Sequence, residues 1–269
     1  HNLPFIEKCE ISQNGFININ IEKKFLIDQI EYLLIQQNQF GKSNLGSEKK
    51  VNVEFVSANP TGPVTVAHMR GAVLGDVISS LLSNTGHQVT REYYVNNAGS
   101  QIDILGKSLF KRYLELHGEK IKLNSDEYPG EYLINIAKLI KKNDGDKWLN
   151  DFSSQREDYF KEFAVKFLIE FIENDLKLLN IKFDKFSFET DIVKSNIIND
   201  LFKILDKKNL LYTGVLEKPK GDDSEDWEPR EQLLFKSSAI LDDQDRAFKK
   251  SNGEWTYFAN DAAYHLDKY

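Results

Sequence analysis

The hydrophobic pattern changes period twice between residues 51 and 95, and these changes predict a strand, a helix and a second strand. Val51–Ser57 alternates and is rich in Val and Phe, which is typical of a buried strand. From Val66 to Asn84 the apolar residues lie three or four apart, which predicts a helix, and Gly86 follows as its stop signal. Val89–Val95 predicts the second strand. We therefore predict a βαβ unit with a right-handed crossover.

The rest of the chain is predicted to be mainly helical, with short strands toward its end. Gly15–Ile21 predicts a strand, and a helical pattern follows it as far as about Gln39. A stripe of phenylalanines in the longest helical pattern, Ser153–Asn180, is expected to lie in the core. The other predicted helices are 100–118, 195–209 and one that opens at residue 260; the predicted strands or extended segments are 181–188, 210–216, 233–237 and 255–258; the predicted loops are 126–130, 143–146, 242–246 and 249–253, with a mobile surface loop at 218–231.

Composition changes this picture little, but it narrows the broad class of protein. The 269 residues are 41% hydrophobic and 29% charged, which is ordinary for a globular protein of one large or two smaller domains. The net charge of −7 gives no general sign of nucleic-acid binding. No apolar run reaches the roughly 18 residues of a membrane span, and the single cysteine, Cys9, fits a reducing cytoplasm. The chain begins at His1 without Met, so its first residue need not be the natural N-terminus.

The N-terminus of the predicted helix at Val66 is a candidate phosphate site. A helix that directly follows a strand and a turn points its free N–H groups and the positive end of its dipole at the space above the sheet. His68 lies in the first turn, where it can donate a hydrogen bond to a phosphate oxygen. The simpler interpretation of His68 is a cap or a surface residue. Gly71 and Gly75 share one face of the helix, and either close packing against a strand or close approach of a ligand explains them.

A second candidate site is marked by polar residues at the carboxyl end of the first strand. Glu54 lies just inside that strand and Asn59 just beyond it, and open parallel sheets bind ligands outside these ends. Tyr257 is predicted to end a strand and Asp261 to open a helix, so that both face one pocket. The simpler alternatives are a solvated or salt-bridged strand residue for Glu54 and a partner of the helix dipole for Asp261.

The letters of the βαβ unit resemble the nucleotide-binding signature of class I aminoacyl-tRNA synthetases. The stretch is SANPTGPVTVAHMRGAVLGD, and REYYVNNAG follows the next strand. With FKSS, DDQDR and SNGEWTYFANDAAYHLDKY later in the chain, the sequence is similar to the bacterial type of arginyl-tRNA synthetase. The core of the signature is normally His-Ile-Gly-His. Here it is Thr65-Val66-Ala67-His68, which keeps only the second histidine, and this departure concerns ATP affinity and rate more than the fold.

The resemblance implies an α/β fold of the class I synthetase type, with a Rossmann-like nucleotide-binding core, a parallel sheet and a mostly helical insertion at about 119–200. It implies that residues 1–45 are the end of a small α+β N-terminal domain that contacts tRNA, together with a linker. It implies that residues 46–269 are the catalytic nucleotide-binding domain. In the family, a second signature loop and an anticodon-binding domain follow the part that this chain resembles.

The resemblance also implies an activity and a set of site residues. The implied activity is that of an arginine–tRNA ligase, a cytoplasmic monomer that uses L-arginine, ATP with Mg²⁺, and tRNA(Arg), and that needs bound tRNA before the adenylate forms. No metal-binding residues are implied. The implied catalytic residues are His68 and Thr65; the ATP-binding residues are Pro63, Thr65, His68 and Gly71; the arginine-binding residues are Glu54, Ser57, Ala58, Asn59, His68, Tyr257 and Asp261.

Two other classes of function stay open from the sequence alone. One is an adenylate-forming nucleotidyltransferase with the same core fold that acts on a small acid without tRNA. The other is a non-catalytic, degenerate synthetase fragment, which the departures at Thr65 and Ala67 would favour. Independence from tRNA would distinguish the first, and normal ATP turnover by the full-length protein would exclude the second.

Overall fold

The computed structural model describes residues 3–216, 229–240 and 242–268. It divides into two compact units. The described residues up to Lys50, together with Ser80–Gln88, form the first, and Val51–Ser79 with the described residues from Val89 onward form the second. None of the helices in these ranges is long and apolar enough to cross a membrane.

The first unit opens with an antiparallel strand pair rather than the single strand that was predicted. Strand β1 (Ile6–Ile11) pairs with β2 (Ile17–Ile21), and helix α1 (Lys23–Gln36) follows. The prediction of one strand is incomplete because charged residues interrupt the apolar pattern of β1, whose sequence is IEKCEI. The strand forms nevertheless, because pairing with β2 satisfies its backbone N–H and C=O groups.

The predicted βαβ elements are present, with one difference at the end of the first strand. They are β3 (Lys50–Glu54), α2 (Val66–Asn84) and β4 (Gln88–Val95), so the predicted helix is confirmed at both ends. Strand β3 ends three residues before the predicted end at Ser57. The Ser57 N–H donates to the Phe55 carbonyl at 2.9 Å, which closes a γ-turn around Val56, whose φ is +65°. A residue at positive φ cannot continue a strand, so the chain leaves the sheet here.

Gly86 ends α2, as predicted. Its φ is +86°, in the left-handed region that glycine adopts without steric cost. Its N–H donates to the Ser83 carbonyl at 3.1 Å, and the His87 N–H donates to the Leu82 carbonyl at 3.1 Å. These two bonds form a Schellman motif, which satisfies carbonyls that the helix end would leave free.

The two glycines inside α2 have different surroundings. A Cβ at Gly75 would overlap the ring of Phe55, whereas a Cβ at Gly71 would meet nothing within 4 Å. Close packing therefore explains Gly75. The open space at Gly71 agrees with either a solvent-facing position or a position against a ligand.

We expect alanine substitutions at these two glycines to have opposite effects on stability. Gly75→Ala should destabilise the protein by about 1–3 kcal/mol, because the new methyl group forces the Phe55 ring out of place. Gly71→Ala should stabilise it by up to ~1 kcal/mol, because alanine has the higher helix propensity. Denaturant unfolding of the two variants measures both changes, and shifts of equal sign and size would contradict this account.

The second unit adds helices and two further groups of strands. Strand order in the first sheet is β3-β4-β5, with β4 and β5 parallel, and the second sheet is the antiparallel order β6-β7-β8. The elements are α3 (Ser100–Leu116), α4 (Glu131–Asp144), α5 (Ser154–Leu178), β5 (Lys185–Phe188), α6 (Glu189–Lys194), α7 (Ile197–Lys207), β6 (Leu211–Val215), β7 (Glu231–Phe235), β8 (Arg246–Lys249) and α8 (Tyr257–Asp267).

Two hydrophobic clusters hold these elements together. The larger one packs α3, α4 and α5 against the first sheet, with Tyr113 and Phe160 fully buried. The phenylalanine stripe of α5 is therefore a core feature at Phe160, although Phe171 at its far end is 39% exposed. The smaller cluster surrounds Phe248 and includes Ala259 of α8, which fixes that helix against α7 and β8.

Further predicted boundaries, including the start of the last helix at residue 260, are wrong or fall outside the described ranges. The segment 255–258 is not a strand, because the Thr256 hydroxyl accepts the Ala259 N–H at 3.3 Å and caps α8, which begins at Tyr257. The predicted loop at 143–146 begins too early, since α4 continues to Asp144. Most of the predicted loop at 218–231 lies outside the described residues, and its last residue, Glu231, begins β7.

Candidate active site

Glu54 stands at the end of β3 with both carboxylate oxygens engaged. Ser57 Oγ donates to Oε1 at 3.0 Å and itself accepts the Tyr94 N–H at 3.1 Å. Lys268 Nζ donates to Oε2 at 2.5 Å. Glu54 is therefore a salt-bridged strand residue, which was the simpler prediction, and it is also held in a fixed direction. Each of its oxygens keeps a lone pair for a further donor.

Asp261 lies on α8 within the electrostatic range of Glu54. Burial raises the pKa of its carboxyl, His265 lowers it in part, and the charge of Glu54 raises it further. A carboxylate complements the helix dipole best in the first turn. Asp261 is the fifth residue of α8 and therefore lies beyond that turn. The dipole interpretation of Asp261 is therefore disfavoured by its place in the helix.

Glu189 is a third carboxylate of this group, and it was not predicted from the sequence. Its side chain is 4% exposed; burial raises its pKa, and the charge of Asp261 adds to the increase. Asn260 Nδ2 donates to Oε1 at 3.3 Å. Asn96, in the amide orientation that satisfies its neighbours, donates to Oε2 at 2.7 Å and to the Ala98 carbonyl at 3.1 Å.

The turn after β4 explains how Glu189 is placed. Asn97 Nδ2 donates to the Thr190 hydroxyl at 2.8 Å, and the Thr190 N–H donates to Asn97 Oδ1 at 3.1 Å. This reciprocal pair and the bond from Asn96 fix the start of α6 beside the strand end. Tyr257 lies against the same turn, because a Cβ at Gly99 would be 3.3 Å from its hydroxyl oxygen. The two consecutive asparagines were the only signal in the sequence for this arrangement.

Two further predicted arginine-binding residues, Ala58 and Asn59, are held by hydrogen bonds to neighbouring segments of the chain. The Ala58 carbonyl accepts the Tyr93 hydroxyl at 2.9 Å, and Asn59 Nδ2 donates to Gln101 Oε1 at 3.0 Å. Burial raises the pKa of Tyr93, so this phenol stays protonated and keeps donating. The segment after β3 is thus tied to β4 and to the beginning of α3.

His68 and Thr65 form a capping arrangement at the N-terminus of α2. The Thr65 N–H donates to His68 Nδ1 at 3.0 Å, and Thr65 Oγ1 lies 3.2 Å from the same nitrogen. This is one half of a capping box, with histidine in the place of the usual Glu or Gln, because the His68 N–H donates to the Thr65 carbonyl, at 2.9 Å, rather than to the Thr65 hydroxyl. A backbone N–H can only donate, so Nδ1 is the acceptor and the proton of the neutral ring is on Nε2. The histidine therefore caps the helix through Nδ1 and keeps its Nε2–H available to donate a hydrogen bond to a ligand. Pro63 and Gly71 are exposed near this terminus.

Within the described ranges, no group of three or more His, Cys, Asp or Glu side chains is arranged to hold a metal ion.

Comparison with known proteins identifies the family to which the chain belongs. The family model for the catalytic domain of class I tRNA synthetases (R) matches residues 29–216. The chain belongs to this family of class I tRNA synthetases, and the Rossmann-like α/β fold implied by the sequence is confirmed.

The individual relatives are more specific. The chain is similar to the arginine–tRNA ligase of Ehrlichia ruminantium (strain Gardel), at 44% identity over 263 residues. It is 45% identical over 264 residues to the arginine–tRNA ligase of Anaplasma marginale. Each alignment covers 98% of this chain but only 46% and 45% of the relative, so the chain spans about half the length of these relatives.

Solved structures give the same picture. A Campylobacter jejuni protein, provisionally assigned as an arginyl-tRNA synthetase, matches with a TM-score of 0.77 and 30% identity over 92% of this chain and 51% of its own. The arginyl-tRNA synthetase of Thermus thermophilus matches with a TM-score of 0.57 at 19% identity, which shows the shared fold alone.

Proposed function

We propose that the full-length protein is an arginine–tRNA ligase, which activates L-arginine with ATP and transfers it to tRNA(Arg). The observation that carries this proposal is the pair of carboxylates Asp261 and Glu189. Each has a raised pKa, and within the described ranges neither forms an ion pair with a lysine or arginine side chain. Two such carboxylates make a site for a cation from outside the chain. The resemblance to arginine–tRNA ligases favours a guanidinium.

The guanidinium is the cation that this chemistry fits best. It is planar and presents its N–H donors in a fork that matches a carboxylate with two parallel hydrogen bonds. Asp261 and Glu189 supply the negative charge, and the Tyr257 hydroxyl lies nearby against the Gly99 turn. Glu54, Ser57, Ala58 and Asn59 would line the rest of the arginine pocket, as the resemblance implies.

ATP would bind at the N-terminus of α2. Its phosphates would accept hydrogen bonds from the free backbone N–H groups and from His68 Nε2–H, with Pro63, Thr65 and Gly71 around them. A carboxylate oxygen of arginine attacks the α-phosphorus, the bond from that phosphorus to the bridging oxygen breaks, and pyrophosphate leaves. A hydroxyl of the terminal ribose of tRNA then attacks the arginyl carbonyl, and AMP leaves. The protein contributes position and stabilisation of the added phosphate charge.

Mg²⁺ is proposed only as the ion that accompanies ATP. The described residues offer no cluster of protein ligands for it, so it would be held through the ATP phosphates and no step is assigned to it. We further propose a cytoplasmic monomer, with residues 1–45 as the end of an N-terminal tRNA-contacting domain and 46–269 as the catalytic domain with its helical insertion at about 119–200.

The pH dependence of arginine binding follows from the raised pKa values. A guanidinium needs ionised carboxylates, so affinity for arginine should fall when acidification protonates Asp261 and Glu189. Because burial raises both pKa values, this loss should begin at a higher pH than the ordinary range near 4. Among the described residues, Glu54, His265 and Tyr94 are the ionisable groups that act on Asp261 and Glu189.

The raised pKa values of Asp261 and Glu189 also make the free energy of unfolding depend on pH. The folded state binds these protons more tightly than the unfolded state, so their contribution to stability decreases as the pH rises through the raised pKa values. The profile of kcat/KM for arginine against pH tests the binding half of this prediction. The prediction would be contradicted if kcat/KM fell only at the pH at which an exposed carboxylate is protonated.

Aminoacylation by the full-length protein tests the proposed function. Bulk tRNA is offered with ATP and each of the twenty amino acids in turn, and the charged tRNA is measured. Charging with arginine alone is the expected result. Activation of a small acid without tRNA would instead support a tRNA-independent nucleotidyltransferase, and ATP binding without any turnover would support a non-catalytic protein.

A further inference from the structure

Lys268, at the C-cap of α8, is a cation that the proposed reaction does not use. Its side chain is only 12% exposed, which is unusual for lysine. Its Nζ lies 2.5 Å from Glu54 Oε2 and 3.6 Å from Glu92 Oε2. It also lies 3.9 Å from the centroid of the Tyr264 ring, a cation–π distance. The lysine is therefore held between two carboxylates and an aromatic face.

Glu92 is the second carboxylate that holds Lys268 in place. The Glu92 side chain is fully buried, accepts Asn52 Nδ2 at 2.7 Å, and accepts the Ser187 hydroxyl through its other oxygen. These bonds fix the carboxylate between β3 and β5, so the ammonium that pairs with it is fixed as well. Lys185 also approaches Glu92, at 3.5 Å, but its side chain is 44% exposed. Lys268 is the partner that reaches both Glu92 and Glu54.

Glu54 needs such a partner because of its surroundings. Asp261 and Glu92 bring further negative charge close to Glu54. The charge of Glu54 also helps to raise the pKa values of the Tyr94 and Tyr264 hydroxyls. Without a cation, only the Ser57 hydroxyl would hold Glu54 against this charge. With Lys268 on one oxygen and Ser57 on the other, the carboxylate has one direction.

We propose that Lys268 is a positioning residue that sets the charge pattern of the arginine pocket. Its ammonium offsets the charge of Glu54 and is itself held by Glu92, whereas Asp261 and Glu189 have no lysine or arginine partner within the described ranges. With Glu54 held in one direction, the pocket presents its carboxylates to the incoming guanidinium in one fixed arrangement. This inference rests on the proposed function and deepens it, because it adds a residue of the chain that selects the orientation of the substrate.

A purely structural lysine and a positioning lysine give different kinetics. Loss of a structural lysine lowers stability and, through the smaller fraction of folded enzyme, lowers the apparent kcat while both KM values stay unchanged. Loss of a positioning lysine raises the KM for arginine and leaves the KM for ATP unchanged, because ATP binds at the N-terminus of α2. Substitution by arginine, which keeps the charge, should restore binding only in the second case.

The test uses the full-length protein and six variants, two of which carry Glu54→Gln. Lys268→Met removes the cation, and Lys268→Met with Glu92→Gln removes the buried charge at the same time, so that the second variant folds even if the first does not. Lys268→Arg is the rescue. Lys203→Met, at an exposed helix lysine paired with Asp200, is the matched control. Thermal melting is recorded beside the KM for arginine and for ATP.

We expect the double variant to raise the KM for arginine about 10- to 100-fold, the range for losing a hydrogen bond to a charged group, with the KM for ATP within about twofold. Lys268→Arg should recover most of the loss, and Lys203→Met should change neither. In a Glu54→Gln background, Lys268→Met should add little, because it acts through Glu54. An unchanged KM for arginine, or equal increases for both substrates, overturns the inference. Failure of the unmodified enzyme to charge arginine overturns the proposed function instead, and this inference with it.

Discussion

Asp261→Asn is expected to raise the KM for arginine by about 100-fold while the KM for ATP stays within about twofold. The substitution keeps the size of the side chain but removes a charge that nothing else in the described part of α8 replaces. Truncating one partner of a desolvated charge pair costs about 2–5 kcal/mol, so a 100-fold change lies at the lower end of this range. Steady-state aminoacylation at saturating tRNA, with each substrate varied in turn, measures both constants.

The control for this variant is Asp200→Asn. Asp200 forms an exposed i,i+3 pair with Lys203, with its side chain 56% exposed, and exposed pairs of this kind contribute little. This control should leave both constants unchanged. Equal weakening of arginine and ATP in Asp261→Asn would show that Asp261 supports the fold rather than the substrate.

Substitutions at His68 should separate its two roles, the cap and the phosphate donor. His68→Glu is expected to fold at least as stably as the unmodified protein, because Glu accepts the Thr65 N–H in a standard capping box and complements the helix dipole. The same variant should lose at least about 10³-fold in kcat. It removes one donor, which typically costs 10²–10³-fold, and it places a negative charge against the phosphates.

His68→Gln is the matched variant for this experiment. It keeps the cap and carries no charge, so its loss in kcat should be nearer 10²-fold, between those of the unmodified enzyme and His68→Glu. Thermal melting and single-turnover adenylate formation are measured on the same preparations. If the two variants lost activity only in proportion to a loss of stability, His68 would be a cap and nothing more.

The best predicted part of the fold is helix α2, and the reason is local. Its apolar spacing, the turn before it and the glycine after it all specify the same boundaries, and Val66–Asn84 is found as predicted. Agreement among independent local signals is what makes a segment predictable. The segment 255–258 shows the opposite case: Trp, Tyr and Phe favour a strand there, but the Thr256 cap and the packing of Ala259 in the core favour a helix.

The sites were predictable only where a motif covered them. Thr65 and His68 lie three residues apart, so their contact follows from helix geometry. The contact between Lys268 and Glu54 joins residues 214 positions apart, and Glu189 meets Asn260 across 71 positions. No periodicity records such pairs, because they arise when packing brings α6 and α8 to the end of β3. A buried carboxylate is visible only once the fold is known.

The γ-turn at Val56 sets stability against activity at a single residue. A β-branched residue at positive φ is strained by about 1–3 kcal/mol, and the surrounding contacts must hold it there. Val56→Gly would remove that strain, so it is a substitution that a search for a more heat-resistant protein would select. It would also free Ser57, whose hydroxyl holds Glu54, and the strand end would no longer present one carboxylate in one direction. Selection that keeps valine here would therefore be selection for an accurate pocket at the expense of a more stable loop.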